Sequence, residues 1–150
     1  MTPLAVHDLG LAPYEEVLAL QHRLVAERPS RDHDTLLFVE HPAVITLGRC
    51  RSSEDNVVAA AGTPVVRVER GGDVTWHGPG QLVGYPILLL AEHERDVHLV
   101  LRHLEDVFIA VLAHYGLEAA RREGHTGVWV GPRKLVSLGI AVHGWVTFHG

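Results

Sequence analysis

Cysteine and lysine are almost missing from this sequence, and so are long apolar runs. Cys50 is the one cysteine, which excludes an intrachain disulfide and is typical of the reducing cytoplasm. No apolar run approaches the ~18 residues of a membrane-spanning helix. The N-terminus also lacks the basic and apolar segments of a secretory signal. We therefore expect a cytoplasmic protein with no membrane partner.

Basic clusters and metal-ligand spacings are missing as well. The formal net charge is −5 with neutral histidines, and no basic run suggests a nucleic-acid partner. Among the 12 histidines, His93, His98 and His103 recur at a spacing that does not share one helix face. Neither Cys-x-x-Cys nor His-Glu-x-x-His occurs. We expect no nucleic acid, no metal and no cofactor.

The one lysine is a sharper observation. Of the 13 cationic side chains, Lys134 alone is not arginine. An amine can shift its pKa and exchange a proton, whereas a guanidinium stays charged. Lys134 is therefore a candidate for proton-transfer chemistry, although composition alone is equally consistent with a lysine on a solvated surface.

The apolar patterns predict strands and two helices in one domain of 150 residues, 47% of them hydrophobic. A helix is expected from Pro13 to near Pro29, and a second from Asp96 to a stop at Gly116, with its apolar stripe in the core. Residues 49–62 are predicted as a loop. Strands are expected at Leu4–Leu9, Thr35–Glu40, Ala43–Gly48, Val65–Val68, Leu82–Leu90, Leu117–Arg121, Thr126–Gly131, Lys134–Val142 and Trp145–Gly150. The predicted fold class is α+β, a mixed sheet flanked by helices that pack largely on one face.

Residues 70–81, Arg-Gly-Gly-Asp-Val-Thr-Trp-His-Gly-Pro-Gly-Gln, form the most unusual stretch. Four glycines allow the backbone to approach a ligand closely, and Arg70, Thr75, His77 and Gln81 supply hydrogen-bonding groups. The alternative is a hairpin loop whose glycines serve only its turns. No Gly-x-Ser-x-Gly elbow, Walker phosphate loop or dinucleotide fingerprint is present. The residues themselves predict a pocket closed by a glycine-rich loop, and no more.

Several motifs in collinear order resemble the lipoyl(octanoyl) transferases. The glycine-rich stretch and its continuation to Tyr85 are similar to that family's signature, although Trp76 stands where tyrosine or phenylalanine is more usual. The other matching segments are His41-Pro42, Thr46–Arg49, Gly127–Val130, Arg133–Ile140 and Thr147–Gly150.

The resemblance implies a single octanoyltransferase catalytic domain over residues 1–150, with a fold similar to the lipoate/biotin protein ligase catalytic domain. Such enzymes move an octanoyl group from acyl carrier protein, through a cysteine thioester, to a lysine of lipoyl domains. These domains belong to 2-oxoacid dehydrogenases and the glycine cleavage system. The family's catalytic lysine matches Lys134. The implied substrate-binding residues are Arg70, Gly71, Gly72, Asp73, Val74, Thr75, Trp76, His77, Ser137, Leu138, Gly139 and Gly150.

The sequence also departs from the family. The family's nucleophile lies in a Pro-Cys-Gly type motif beyond the His-Gly pair, whereas this sequence stops at Gly150. We therefore expect a domain without its C-terminal portion, in which Cys50 is a loop or packing residue and the nucleophile is absent. Two alternatives stay open: an ATP-dependent lipoate or biotin ligase of the same fold, and a non-catalytic acyl- or carrier-binding module. Docking of an acidic carrier would need a basic patch. Its candidate residues are Arg49, Arg51, Arg67, Arg70 and Arg133.

Overall fold

The computed structural model describes residues 2–50, 57 and 60–150. Two compact units are present: Met1–Leu90 with Ile140–Gly150 form the first, and Ala91–Gly139 form the second. Most of the predicted 49–62 loop, together with Arg51, lies outside the described residues. That the 150 residues act as one catalytic domain stays a prediction.

The described residues form two α-helices and eleven strands. In chain order these are β1 (Leu4–Leu11), α1 (Tyr14–Glu27), β2 (Asp34–Glu40), β3 (Val44–Leu47), β4 (Val65–Arg67), β5 (Val74–His77), β6 (Val83–Ile87), α2 (Val97–His114), β7 (Ala119–Ala120), β8 (Val128–Val130), β9 (Arg133–Val136), β10 (Ile140–His143) and β11 (Val146–His149). Short 3-10 turns occupy Arg28–Ser30 and Glu92–Glu94. Neither α-helix is long and apolar enough to cross a membrane.

The first unit combines parallel and antiparallel pairing. β2 lies between β1, to which it is parallel, and β6, to which it is antiparallel. β3 is parallel to β4 and antiparallel to β5, while β10 and β11 form an antiparallel hairpin. This mixture, together with α1, confirms the predicted α+β class.

The core of the first unit lies where α1 meets these strands. α1 begins after Pro13 and carries Glu15 and Glu16 in its first turn, where acidic side chains favour the helix dipole. Alternate residues of β2 are buried, as expected of a strand with one face in the core. The core comprises Tyr14, Val17, Leu24, Val25, Leu37, Val39, Val44, Val68, Val83, Tyr85, Ile87, Val146 and Phe148.

The second unit contains α2 and the antiparallel strands β7, β8 and β9. Asp96 caps α2 by accepting hydrogen bonds from the backbone N–H groups of His98 and Leu99. Gly116, at a φ of +74°, ends the helix as predicted. β8 and β9 form an antiparallel pair in which Val130 is the register partner of Arg133.

Three predictions about elements are wrong. The stretch 70–81 is not all loop, because Val74–His77 pair with β3 as β5. The predicted strand Lys134–Val142 divides into β9 and β10, with residues 137–139 outside any strand. The apolar stripe of α2 is mostly not core: Val100 is buried, but Val107, Val111 and Tyr115 are 57%, 47% and 74% exposed. Periodicity shows which residues share a helix face, but it does not show what covers that face.

Candidate functional site

Arg70 is a buried cation that holds the glycine-rich stretch against β3. Its Nη2 donates to the carbonyl oxygen of Thr46 at 3.0 Å and to its Oγ1 at 2.8 Å. Its Nη1 donates to the carbonyl oxygen of Gly71 at 3.0 Å. Burial lowers the pKa of this guanidinium. Because Arg70 is only 7% exposed, it does not belong to a surface patch for a carrier protein, contrary to that expectation.

The end of β3 and the loop at Gly72 approach each other closely. The backbone N–H groups of Gly48 and Cys50 donate to the carbonyl oxygens of Asp73 and Gly72, at 3.1 and 3.2 Å. A Cβ at position 48 would overlap the Gly72 carbonyl oxygen, and Gly72 itself has a φ of +87°. The contact therefore depends on two glycines, each for its own steric reason. Sequence reasoning did not identify Gly48 as part of this arrangement.

β5 presents the middle of the stretch in a fixed register. Thr75 pairs with Thr46 and Trp76 with Ile45, and the Trp76 side chain is 51% exposed. The N–H of Gly71 donates to the carbonyl oxygen of Ile140 at 3.1 Å, which joins the stretch to β10. The residues expected to bind substrate from 70 to 77 thus form one strand and the turn that precedes it.

His77 belongs to a cluster of imidazole and phenol rings with Tyr14, His41 and Tyr85. The Tyr14 and His77 rings stack with centroids 6.0 Å apart, and His41 contacts Tyr14 at 5.1 Å. His41 Nδ1 faces the carbonyl oxygen of Ala12 at 2.8 Å, so we assign the proton to Nδ1. Its Nε2 then accepts from the Tyr85 hydroxyl at 2.8 Å.

Burial keeps this ring cluster uncharged. It lowers the pKa of His41 and of His77, although the bond from His77 Nδ1 to Gln81 Oε1 partly offsets the effect at His77. It raises the pKa of Tyr14 to about 12 and raises the pKa of Tyr85 as well. Two neutral imidazoles and two neutral phenols therefore lie next to the candidate binding strand at neutral pH.

A second polar cluster surrounds His149, at the end of β11. His149 has a φ of +59°, and its N–H donates to Gln21 Oε1 at 2.8 Å. Its ring Nε2 lies 3.1 Å from Glu69 Oε2, while Glu69 Oε1 lies 3.3 Å from His22 Nε2. Burial lowers the pKa of His149, and Glu69 acts in the opposite direction. The sequence places His149 in a family motif but does not predict its contacts with Gln21 and Glu69.

Gly150 follows this histidine and lies against β6. A Cβ at Gly150 would overlap the carbonyl oxygen of Gly84, so only glycine fits there. Because Glu69 precedes Arg70 in the chain, its bond to His149 ties the segment at 149–150 to the start of the candidate binding stretch. The structure therefore brings together the predicted residues 70–77 and Gly150 within the first unit.

The remaining predicted site residues belong to the second unit. Lys134 lies on β9, and Ser137, Leu138 and Gly139 follow that strand. The Lys134 side chain is exposed, with Nζ 5.1 Å from the centroid of the Trp129 ring. Although the side chain as a whole is exposed, partial burial lowers the pKa of its amine, and the carboxylate of Glu105 opposes that shift. That these four residues share one site with residues 70–77 stays a prediction.

Cys50 is exposed and follows β3. In the described part of the chain, no group of three or more His, Cys, Asp or Glu side chains is placed to hold a metal ion.

Comparison with known sequences identifies the family. The model of the lipoyl protein ligase A/B catalytic domain matches residues 13–150. The octanoyltransferase of Gloeobacter violaceus is 50% identical over 143 residues, which cover 94% of this chain and 64% of that protein. The octanoyltransferase of Syntrophotalea carbinolica is 48% identical over 148 residues, covering 98% of this chain and 69% of that protein. The chain thus spans about two thirds of the length of these curated relatives.

Solved structures confirm the fold. The bi-partite lipoate protein ligase of Thermoplasma acidophilum superimposes with a TM-score of 0.77 at 17% identity, over 99% of this chain and 60% of that one. A lipoate-protein ligase A bound with ATP gives a TM-score of 0.76 at 17% identity, over 97% of this chain and 64% of that one. At this identity the likeness concerns the fold alone. The family model and the identity to curated relatives show that the chain belongs to the lipoyl protein ligase A/B catalytic domain family, and within that family to the octanoyltransferases.

Proposed function

We propose that the protein transfers an octanoyl group from acyl carrier protein to a lysine of lipoyl domains through a cysteine thioester, in the cytoplasm. The lipoyl domains are those of 2-oxoacid dehydrogenases and the glycine cleavage system. The observation that carries the proposal is the 46–50% identity to octanoyltransferases over almost the whole chain. The 150 residues of this chain would supply the acyl-binding part and the catalytic lysine.

The first unit supports acyl binding by two exposed glycines and by the neutral rings near them. Gly71 and Gly72 are exposed and have no side chain to obstruct an acyl tail. The neighbouring rings of Tyr14, His41 and His77 are neutral, so an apolar tail would meet no unpaired charge there. Burial of roughly seven carbons of an octanoyl tail would contribute up to about 5 kcal/mol. We assign this role to residues 70–77 together with Ser137, Leu138, Gly139 and Gly150.

Lys134 would act at both halves of the reaction. Its ammonium favours the thiolate of a nearby cysteine, which attacks the carrier thioester. A new C–S bond to the enzyme forms, the C–S bond to the carrier breaks, and the Lys134 ammonium gives its proton to the departing carrier thiolate, which leaves Lys134 as an amine. The target lysine amine then attacks the enzyme thioester. A C–N bond forms, the C–S bond breaks, and the amine form of Lys134 accepts the proton that the attacking nitrogen loses. An amine whose pKa is below its ordinary value supports this exchange.

We infer that Cys50 is not the nucleophile, so that the thioester-forming cysteine is not among these 150 residues. Cys50 follows Gly48 and Arg49 in a segment whose backbone bonds to Gly72 and Arg70. That segment matches a part of the family pattern that contains no catalytic cysteine. The chain by itself is then expected to bind octanoyl groups without becoming acylated.

The test incubates the purified chain with octanoyl-acyl carrier protein in the absence of ATP. Intact-mass spectrometry is expected to find no acyl adduct, whereas octanoyl-pantetheine is expected to raise the unfolding temperature. An adduct that disappears in Cys50→Ser would show that Cys50 is the nucleophile. No stabilisation by any octanoyl thioester would contradict the acyl site itself.

The likeness in fold to a lipoate-protein ligase A bound with ATP gives the main alternative, a ligase that activates its acid with ATP. The two reactions differ in their activated donor. A ligase would consume ATP and free octanoic acid or lipoic acid, while a transferase uses the preformed thioester. Acylation of a lipoyl domain by the protein at the full length of its relatives, measured with and without ATP, separates them. Binding without transfer in both assays would indicate a non-catalytic acyl-binding module.

A further inference from the structure

Lys134 lies directly opposite an aromatic ring in the second unit. In the antiparallel pair of β8 and β9, Trp129 is the register partner of Lys134. Directly opposed side chains of a strand pair lie on the same face. The Lys134 Nζ is 5.1 Å from the Trp129 ring centroid, within the ~6 Å over which a ring face attracts a cation. The ring therefore stabilises the ammonium form of Lys134.

Gly127 leaves room for the methylene chain of Lys134. A Cβ at position 127 would lie 2.5 Å from Lys134 Cε and 2.5 Å from the carbonyl oxygen of Val136. Gly127 also has a φ of +133°, a conformation that side-chain-bearing residues rarely adopt. The Lys134 side chain thus passes directly over the backbone of Gly127, where any other residue would place a Cβ in its way.

Glu105 fixes that backbone from the side of α2. Its Oε1 accepts the N–H of Gly127 at 2.9 Å. Its Oε2 accepts from Arg102 at 2.6 Å and from Arg121 at 2.8 Å, and the side chain is fully buried. Burial would raise the pKa of this carboxyl, but the bonds from Gly127, Arg102 and Arg121 hold it below its ordinary value. An ionised carboxylate is therefore held next to the glycine that the lysine covers.

We propose that Glu105, Gly127 and Trp129 form a cradle that positions the Lys134 side chain and stabilises its ammonium form. Glu105 and Trp129 are positioning residues, since they act on Lys134 and through it on the reaction. The catalytic role of the cradle rests on the function proposed above, whereas its positioning and electrostatic effect on the Lys134 amine does not. The cradle counteracts the partial burial of Lys134, so the amine stays largely charged before transfer and remains within range of proton exchange.

The other charged groups around the ring do not change the direction of this effect. Arg122 Cζ lies 5.5 Å from the same Trp129 centroid, and the His125 ring contacts that ring edge-on at 6.1 Å. Arg122 is a like charge, so it opposes the ammonium of Lys134. The Glu105 carboxylate favours the ammonium. Of these groups, Trp129 and Glu105 are the two whose loss is expected to lower the pKa of Lys134.

The sequence makes a direct test possible, because Lys134 is the one lysine. Growth on lysine labelled with 13C at Cε gives a single lysine signal whose titration reports the amine of Lys134 without an activity assay. In the unmodified chain, the ε-methylene protons are expected to be shifted upfield by the Trp129 ring. They are also expected to relax as an ordered group. Unshifted ε-methylene signals with the relaxation of a free lysine would overturn the cradle without any substitution.

Two substitutions test the parts of the cradle. Trp129→Leu is expected to lower the titration midpoint by about half a pH unit, and Glu105→Gln to lower it as well while keeping an acceptor for Gly127. Tyr115→Leu, an exposed aromatic residue at the end of α2, is the matched control and should leave the midpoint unchanged. If Trp129→Leu does not fold, Trp129→Phe replaces it, with a smaller upfield shift expected. Midpoints equal to that of the unmodified chain in both variants would contradict the proposal and leave octanoyl transfer untouched.

Discussion

At the scale of single residues, the buried histidines of the first unit make stability depend on pH. Burial holds the pKa values of His41 and His149 below the ordinary 6.5, and it does the same for the partly buried His77. The unfolded chain binds protons at these positions as the pH falls through about 6.5, but the folded chain does so only at lower pH. The contribution of these three histidines to the free energy of unfolding is therefore expected to be constant above about pH 7. It is expected to decrease as the pH is lowered from about 6.5 to 5. Each histidine contributes at most about 1.4 kcal/mol per pH unit.

Urea unfolding at about pH 7.5, 6.5 and 5.5 measures this slope. His41→Asn keeps a donor for the Ala12 carbonyl oxygen but cannot bind a proton, so it is expected to make the slope shallower. His143→Asn is the control, since His143 is exposed. A slope that His41→Asn leaves unchanged would show that His41 does not resist protonation in the folded chain.

Individual residues differ in how far their roles can be predicted from the sequence. Lys134 is predictable as a candidate because a single lysine among twelve arginines stands out in the sequence. Glu105 is not predictable, because an acid in a mostly apolar helix gives no sign that it accepts the N–H of Gly127, 22 positions away in the chain. Arg70 was expected to contact substrate or carrier, yet its guanidinium bonds to backbone of its own chain. Its motif is visible in sequence, but the partner of each of its nitrogens is not.

At the scale of elements, the two helices differ in how they begin. Asp96 caps α2 with hydrogen bonds of 2.8 and 3.3 Å, whereas α1 begins after Pro13 with no side-chain cap. Asp96→Ala is expected to lower the free energy of unfolding by about 1 kcal/mol and to speed amide exchange in the first turn of α2. Asp96→Ser keeps an acceptor and should restore most of that loss. An Asp96→Ala protein that is as stable as the unmodified chain, measured by urea unfolding and hydrogen exchange, would show that the cap contributes nothing.

Helix boundaries were predictable because Pro13, Asp96 and Gly116 act locally. The strand β5 is not predictable from the sequence, because Val74–His77 is short and flanked by glycines. It becomes a strand through its pairing with β3 in the folded chain. The prediction that the apolar stripe of α2 lies in the core is wrong for the same reason, because burial depends on which residues cover the helix. Local chemistry thus decides where an element begins and ends, and tertiary contacts decide its partners.

At the scale of the whole molecule, the proposed reaction needs an acyl-binding surface in the first unit and the amine of Lys134 in the second. The collinear motifs predict both groups from sequence, and that they act in one site stays a prediction. Sequence could not show that His149 and Glu69 tie position 150 to the loop at position 70, because these residues are 80 positions apart.

Gly71 offers the cleanest test of the acyl surface. A Cβ there would meet only the carbonyl oxygen of Ile140, at 3.8 Å, whereas Gly72, at a φ of +87°, accepts no other residue without strain. Gly71→Val is therefore expected to keep the unfolding temperature of the ligand-free chain nearly unchanged, while its isopropyl group occupies the space proposed for the octanoyl tail. Saturating octanoyl-pantetheine, at about 100 times its dissociation constant, would stabilise the unmodified chain by about 2.7 kcal/mol.

Thermal unfolding with and without octanoyl-pantetheine measures that difference, and Gly71→Val is expected to remove most of it. Ala5→Val, which introduces the same isopropyl group on β1, is the control and should keep the full stabilisation. A Gly71→Val protein that is stabilised as strongly as the unmodified chain would place the acyl tail away from position 71. Loss of the shift in the control as well would show that the assay reports general destabilisation. If octanoyl-pantetheine fails to stabilise Gly71→Val but still stabilises Ala5→Val, the cause is a blocked acyl surface and not a weakened fold. The ligand-free unfolding temperatures of the two variants, compared in the same experiment, make this distinction.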